Sequence, residues 1–270
     1  MTEMATETQA AVSAKGGRMD QDISEDAVLG GRLVLRQPLR GHRFGHDAIL
    51  LAAAVAARPG EHAVELGAGV GAAGLALARR IAGLTVTLLE IDPALAALAR
   101  DNAERNGLAA RVRAVCLDVA APAPAFTAAG LEPESAAHVL MNPPFNAAQN
   151  PSPDPARRLA RTASHDTARQ WLQAATRLLH PGGTVTLIWR ADGLDDVLAA
   201  LATGFGGAAV LPIHPKPGAP AIRVIVRAVK GANLPLMQQP GLVLADAAGK
   251  PTAEAEAVLR RGAALPVAES

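Results

Sequence analysis

The segment Met141-Asn142-Pro143-Pro144-Phe145 carries the most specific chemistry in the chain. It ends an apolar run, Ala137 to Met141, that reads as a strand stopped by the two prolines. Consecutive prolines fix the backbone and remove two N–H donors. The Asn142 side-chain oxygen and the Pro143 carbonyl can then face one point as acceptors, and an NH2 group fits there by donating two hydrogen bonds. The exocyclic nitrogen of a nucleobase is a poor nucleophile, because its lone pair is delocalised into the ring. Holding both hydrogens out of plane localises that lone pair, and catalysis becomes largely positioning. Phe145 offers a face on which an extruded base can stack. Asn142, Pro143, Pro144 and Phe145 are therefore the candidate catalytic set. The competing reading is an Asn-Pro turn with a packed Phe.

A second cluster, Glu65-Leu66-Gly67-Ala68-Gly69-Val70-Gly71, follows a short strand and opens a helix. Glycines allow a sharp turn and close approach to a ligand, and a helix N-terminus supplies unpaired N–H groups. Gly69 to Gly74 also fits G-x-G-x-x-G, so a dinucleotide site competes. Glu65 favours S-adenosylmethionine, because its carboxylate can orient the loop or meet the cofactor's ammonium group, whereas it would repel a pyrophosphate. The next strand ends on Glu90, placed to accept both ribose hydroxyls of either ligand. Asp118, after the third strand, can meet the adenine amino group or can cap a turn.

These residues must be held by an alternating fold. Strands are expected at 63–66, 84–89, 111–117, 137–141 and 184–189, and near 209–211 and 224–229. Helices are expected at 47–57, 72–81, 166–179 and around 193–202, and from Asp92-Pro93 to a stop at Asn106-Gly107. Gly30-Gly31 between two apolar runs reads as a hairpin. Strand–helix alternation with short links implies an α/β fold with a mainly parallel sheet covered on both faces. Residues 1–22 are expected to be a disordered tail, 23–235 a catalytic domain, and 236–270 an extension with a strand at 242–244 and a helix from Thr252.

Composition narrows the partners. A net charge of +1 leaves no global field for nucleic acid, so RNA contact needs local basic patches. Arg157, Arg158 and Arg161 form one such cluster after the candidate catalytic loop, with a solvated helix start as the plainer reading. Lys216, Arg223 and Arg227 extend it more weakly. The single cysteine, Cys116, excludes a disulfide framework, fits a reducing cytoplasm, and is expected to be a buried strand residue. No signal peptide or membrane span is expected, and the protein should be a monomer or weak dimer. Trp171 has helical core spacing. His42 and His46 lack a third ligand, so no metal is expected.

The set Glu65-x-Gly67-x-Gly69-x-Gly71, Glu90, Asp118, Asn142-Pro143-Pro144-Phe145 and Leu179-His180-Pro181-Gly182-Gly183 resembles class I amino-methyltransferases. More narrowly, Gln37-Pro38, Arg43 to Leu51, Leu244-Ala245-Asp246 and Thr252 to Glu256 resemble the bacterial tRNA(Val) adenine-N6-methyltransferase family. The resemblance implies a Rossmann-like seven-stranded sheet with an antiparallel last strand. It also implies that Gly45 and Asp47 border the methionine end of the cofactor. His46 departs from the small residue common before that Asp, and Phe145 from the frequent Tyr. The expected activity is S-adenosylmethionine-dependent methylation of the adenine amino group in RNA, with tRNA preferred. Guanine N2 and protein glutamine are same-fold alternatives. An NAD(P)-dependent oxidoreductase and a catalytically dead RNA-binding scaffold are alternatives from other classes.

Overall fold

In a computed structural model, residues 23–40, 43–144 and 155–268 are described, with the side chains of 155–165 left aside. The expected tail, Phe145 and His42 lie outside the described residues, as do the side chains of Arg157, Arg158 and Arg161. The chain opens with an antiparallel hairpin, β1 (Ile23–Val28) and β2 (Leu33–Pro38), turned by Gly30 and Gly31, both at positive φ. Helix α1 (His46–Ala53) follows, shorter than expected, although residues 54–57 remain largely buried. The alternation then runs β3 (His62–Leu66), α2 (Ala72–Arg80), β4 (Thr85–Glu90), α3 (Pro93–Arg105), β5 (Val112–Cys116), α4 (Ala123–Ala128) and β6 (Ala136–Met141). After it come α5 (Pro155–Leu178), β7 (Leu179–Arg190), α6 (Leu194–Leu201), β8 (Phe205–His214) and β9 (Arg223–Lys230). The chain closes with β10 (Met237–Gln238), β11 (Leu242–Val243) and α7 (Ala253–Arg261).

The main sheet has the order β10-β8-β9-β7-β6-β3-β4-β5, with β11 also on β8. β3 to β7 pair in parallel, and β9 is antiparallel to both neighbours. The expected mainly parallel sheet with an antiparallel last main strand is present. It has nine strands among the described residues instead of seven, because the two-residue β10 and β11 add onto β8. Helix α5 starts at Pro155, well before the expected start at residue 166.

Two apolar layers cover the sheet. One joins α1, α2 and α7 to residues such as Ala63, Val86, Leu88 and Leu140; the other joins α5 and α6 to Val64, Leu66, Leu89 and Met141. Strand side chains alternate between the two faces, so both layers draw on the same strands. Thr252 caps α7 by accepting from the Ala255 N–H, as the sequence suggests. Val258 of this helix packs into the first layer.

Cys116 is exposed, contrary to the expectation of a buried strand residue. Its strand is the edge of the sheet, and its position is the last residue of that strand, where cover is missing. Arg227 is half-buried in mid-strand, paired across from Thr186 and Ala209. Its charge acts on His138, near the amino ends of the parallel strands, so it does not extend a basic surface at the carboxyl ends.

Candidate active site

Parallel pairing brings the functional turns together. Leu66 is level with Leu89 on one side and Met141 on the other, and Glu90 is level with Cys116. The glycine loop, Glu90 and Asn142 therefore leave the sheet at one carboxyl edge, where such sheets bind ligands. Arg190 and Arg223 are paired at the same level on β7 and β9.

The glycine loop is shaped by three positive φ values, at Gly67, Gly69 and Gly71. The space around them differs. A Cβ at Gly67 would lie 2.3 Å from the Trp171 ring, and one at Gly71 2.7 Å from Leu88. At Gly69 nothing lies within 4 Å, so this glycine borders open space. Two glycines thus seat the loop on the protein, and the third faces where a ligand can approach. Trp171 is half-buried rather than a full core residue, and it packs on the second layer with its ring against Gly67.

Glu65 and Glu90 are both buried. Glu65 Oε2 accepts the Gly74 N–H at 2.6 Å, which fixes the first turn of α2. Both uses expected for this carboxylate concern the loop or the cofactor; the contact present is with the helix that follows the loop. Burial pushes its pKa up to about 8, with the charge of Glu90 adding to the rise and the Gly74 hydrogen bond opposing it. Glu90 Oε2 accepts the Gly69 N–H at 2.7 Å, and Oε1 accepts the Asp92 N–H at 3.0 Å. A carboxylate has about four lone-pair sites, so both oxygens retain capacity for ribose hydroxyls. Asp92 caps α3 by accepting from Ala94 and Leu95.

The other expected site residues are spread around this edge. Asp118 accepts the Ala120 N–H at 2.8 Å, a turn-capping contact that leaves it exposed just beyond β5. Asp47, in the first turn of α1, pairs with Arg223 at 2.9 Å. Asn142 Oδ1 is shielded from solvent and has no hydrogen-bond partner among the described residues. Pro143 is buried and Pro144 exposed. Stacking faces are scarce, since Phe126, Phe205 and Trp189 are buried in the second layer.

Two residues escaped the sequence reading. Ile91, directly after Glu90, is 60% exposed. An apolar side chain between a strand's last acid and a helix cap serves neither element, and that was the available signal. Beside the Glu90 carboxylate it suits the face of a purine ring. Asn102 is fully buried in α3 and bonds to the glycine loop, a role that no local pattern announces.

A glycine loop with an open central position, a carboxylate on its N–H, and an adjacent apolar face fit an adenosine-bearing cofactor. With the strand order described above, they define a Rossmann-like methyltransferase. The chain belongs to the methyltransferase small domain family, whose model matches residues 43–211. It is similar to the tRNA1(Val) (adenine(37)-N6)-methyltransferase of Aeromonas hydrophila, with 30% identity over 193 residues, 71% of this chain and 78% of that protein. The enzyme of the same description from Porphyromonas gingivalis is 29% identical over 165 residues, 60% of this chain and 64% of that one. Among solved structures, an Agrobacterium tumefaciens protein described as a predicted O-methyltransferase superposes with a TM-score of 0.69 at 31% identity, covering 81% of this chain and 98% of that one. TrmN from Thermus thermophilus shares the fold, with a TM-score of 0.52 at 24% identity over 71% of this chain and 50% of that one. The protein is an S-adenosylmethionine-dependent methyltransferase, and the oxidoreductase alternative falls. Among the described residues there is no metal-ligand cluster, and no helix is long and apolar enough to cross a membrane.

Two outcomes follow from this geometry. The Glu65 carboxyl has a folded pKa raised above its ordinary 4.5, so its contribution to stability is full below 4.5 and is lost as pH rises through about 8. Glu65→Gln keeps an acceptor for the Gly74 N–H and cannot ionise. Between about pH 5 and about pH 9 the cofactor-free wild type should lose melting temperature more steeply than this variant. Parallel profiles would place Glu65 in the ordinary carboxylate range. Gly67→Ala meets both a positive φ and the Trp171 ring, so chemical denaturation should show a loss of about 2–4 kcal/mol. An unchanged midpoint would mean that Trp171 does not press on the loop.

Proposed function

We propose that this enzyme methylates the exocyclic amino group of adenine in RNA, with tRNA as the substrate class. The observation that carries the reading is Asn142 Oδ1, a buried acceptor without a partner among the described residues, directly after β6 and before Pro143-Pro144. A shielded acceptor without a donor costs free energy, and among the described residues none supplies one, which supports a hydrogen-bond donor on the substrate. An amino group supplies one hydrogen to Asn142 and a second to the Pro143 carbonyl.

S-adenosylmethionine, when bound, supplies an electrophilic methyl group. The chain's own part is to hold the acceptor nitrogen in line. Asn142 and the Pro143 carbonyl restrain its two hydrogens, and the prolines keep both acceptors from relaxing. No strong base is required, because the nitrogen becomes acidic on methylation and its proton can leave to water. Phe145 serves in this reading as the stacking face for a base turned out of its strand, and Arg157, Arg158 and Arg161 hold neighbouring phosphates. Asp47, Glu65, Gly67, Gly69, Gly71, Glu90 and Asp118 form the cofactor side. A tRNA substrate and a single cysteine support a cytoplasmic location. The two relatives named for adenine-N6 methylation support the choice of base. The Agrobacterium neighbour supports a second reading, methyl transfer to a hydroxyl, which could also donate to Asn142.

The test uses unmodified tRNA and isotope-labelled cofactor, followed by mass spectrometry of the nucleosides. N6-methyladenosine is expected. Label in N2-methylguanosine, in a ribose methyl, or only in added protein would reject adenine. In single turnover, Asn142→Ala should slow transfer by on the order of 10²-fold, with a smaller loss of RNA affinity. Transfer at the wild-type rate would remove Asn142 from the chemistry.

A further inference from the structure

We propose that Asn102 is a positioning residue for cofactor capture, holding the glycine loop in its binding shape and tying that shape to the N-terminal hairpin. Its side chain is completely buried. Oδ1 accepts the Arg36 N–H at 2.7 Å, and Nδ2 donates to the Arg36 carbonyl at 2.9 Å and the Val70 carbonyl at 3.0 Å. Both amide hydrogens are used, so the orientation of the group is fixed by its partners. Val70 lies between Gly69, whose N–H is held by Glu90, and Gly71, whose N–H returns to Ala68. The two-glycine turn that faces the open side is therefore pinned at successive residues, by a carboxylate from β4 and an amide from α3.

The hairpin side of this contact has its own pattern. Asn106, the C-cap of α3 four residues further on, accepts the Val34 N–H at 3.0 Å and donates to the Val34 carbonyl at 2.8 Å. Asn102 and Asn106 thus treat the outer edge of β2 as a partner strand would, satisfying the main-chain groups of Val34 and Arg36. Ion pairs of Arg105 with Glu25 and of Arg36 with Asp101 cross between α3 and the hairpin and reinforce the docking. Of these two asparagines, Asn102 is the one whose side chain also bonds to the loop, whereas the Asn106 amide donates back to the Asn102 carbonyl at 2.8 Å. Asn106 is therefore a control that perturbs docking without touching the loop.

Calorimetric titration of S-adenosylhomocysteine separates the two roles. Asn102→Ala and Asn106→Ala should both lower the melting temperature. Asn102→Ala should weaken binding by about tenfold or more, while Asn106→Ala should stay within about twofold of the wild type. Equal effects of the two variants would reduce Asn102 to a docking residue and overturn the proposal. Asn102→Asp keeps an acceptor for the Arg36 N–H and loses the donors, so it carries the same test if the alanine variant does not fold, and wild-type affinity there is equally fatal. In the wild-type protein, S-adenosylhomocysteine should slow amide exchange at Arg36 as well as at Gly69 and Gly71. Protection confined to the loop would contradict the coupling to the hairpin.

Discussion

Glu90 joins the first two strand-to-helix turns through one carboxylate. Its oxygens accept the Gly69 N–H of the glycine loop and the Asp92 N–H at the start of α3. A buried carboxylate is tolerable only when donors surround it, and here the donors are backbone groups that would otherwise be orphaned at turns. The cost of burying the acid and the need to shape the loop are met by the same bonds. Glu65 does the equivalent one residue inside β3, holding Gly74 in the first turn of α2. The raised pKa of Glu65 follows first from its burial, with the Glu90 charge adding to it.

The rest of the molecule serves that arrangement. Parallel register sets Leu66, Leu89 and Met141 side by side, so Asn142 emerges next to the glycine loop without any contact having to pull it there. Trp171 presses on Gly67 from α5, the helix that leads back toward the segment after Asn142. The Asp47–Arg223 pair joins α1 to the start of β9 at the same edge. Each link is between elements far apart in sequence, so the site depends on the assembled sheet.

What was legible in the sequence was local. The strand–glycine–helix turn, the Asp92-Pro93 helix start and the Gly30-Gly31 hairpin each depend on the conformational limits of a few adjacent residues, and each lies where expected. The antiparallel last main strand came from family resemblance, not from periodicity. Less legible were features set by neighbours. Hydropathy made Cys116 a strand residue but could not show that its strand is the sheet edge. Helical spacing placed Trp171 on a packed face without showing that it meets the loop. Asn102 looks like any polar helix residue until Arg36 and Val70 arrive from 66 and 32 positions away.

The central claim is that this edge is shaped for the adenosyl group of S-adenosylmethionine and not for a dinucleotide. Glu90 bears on that distinction because a pyrophosphate at the loop would meet its carboxylate; Glu65, whose pKa burial lifts to about 8, holds Gly74 of α2 and adds little charge near neutral pH. Calorimetric titration of the wild-type protein with S-adenosylhomocysteine and, separately, with NADH tests it most directly. The account predicts saturable binding of the first and none of the second. Saturable binding of NADH with no heat from S-adenosylhomocysteine would contradict it.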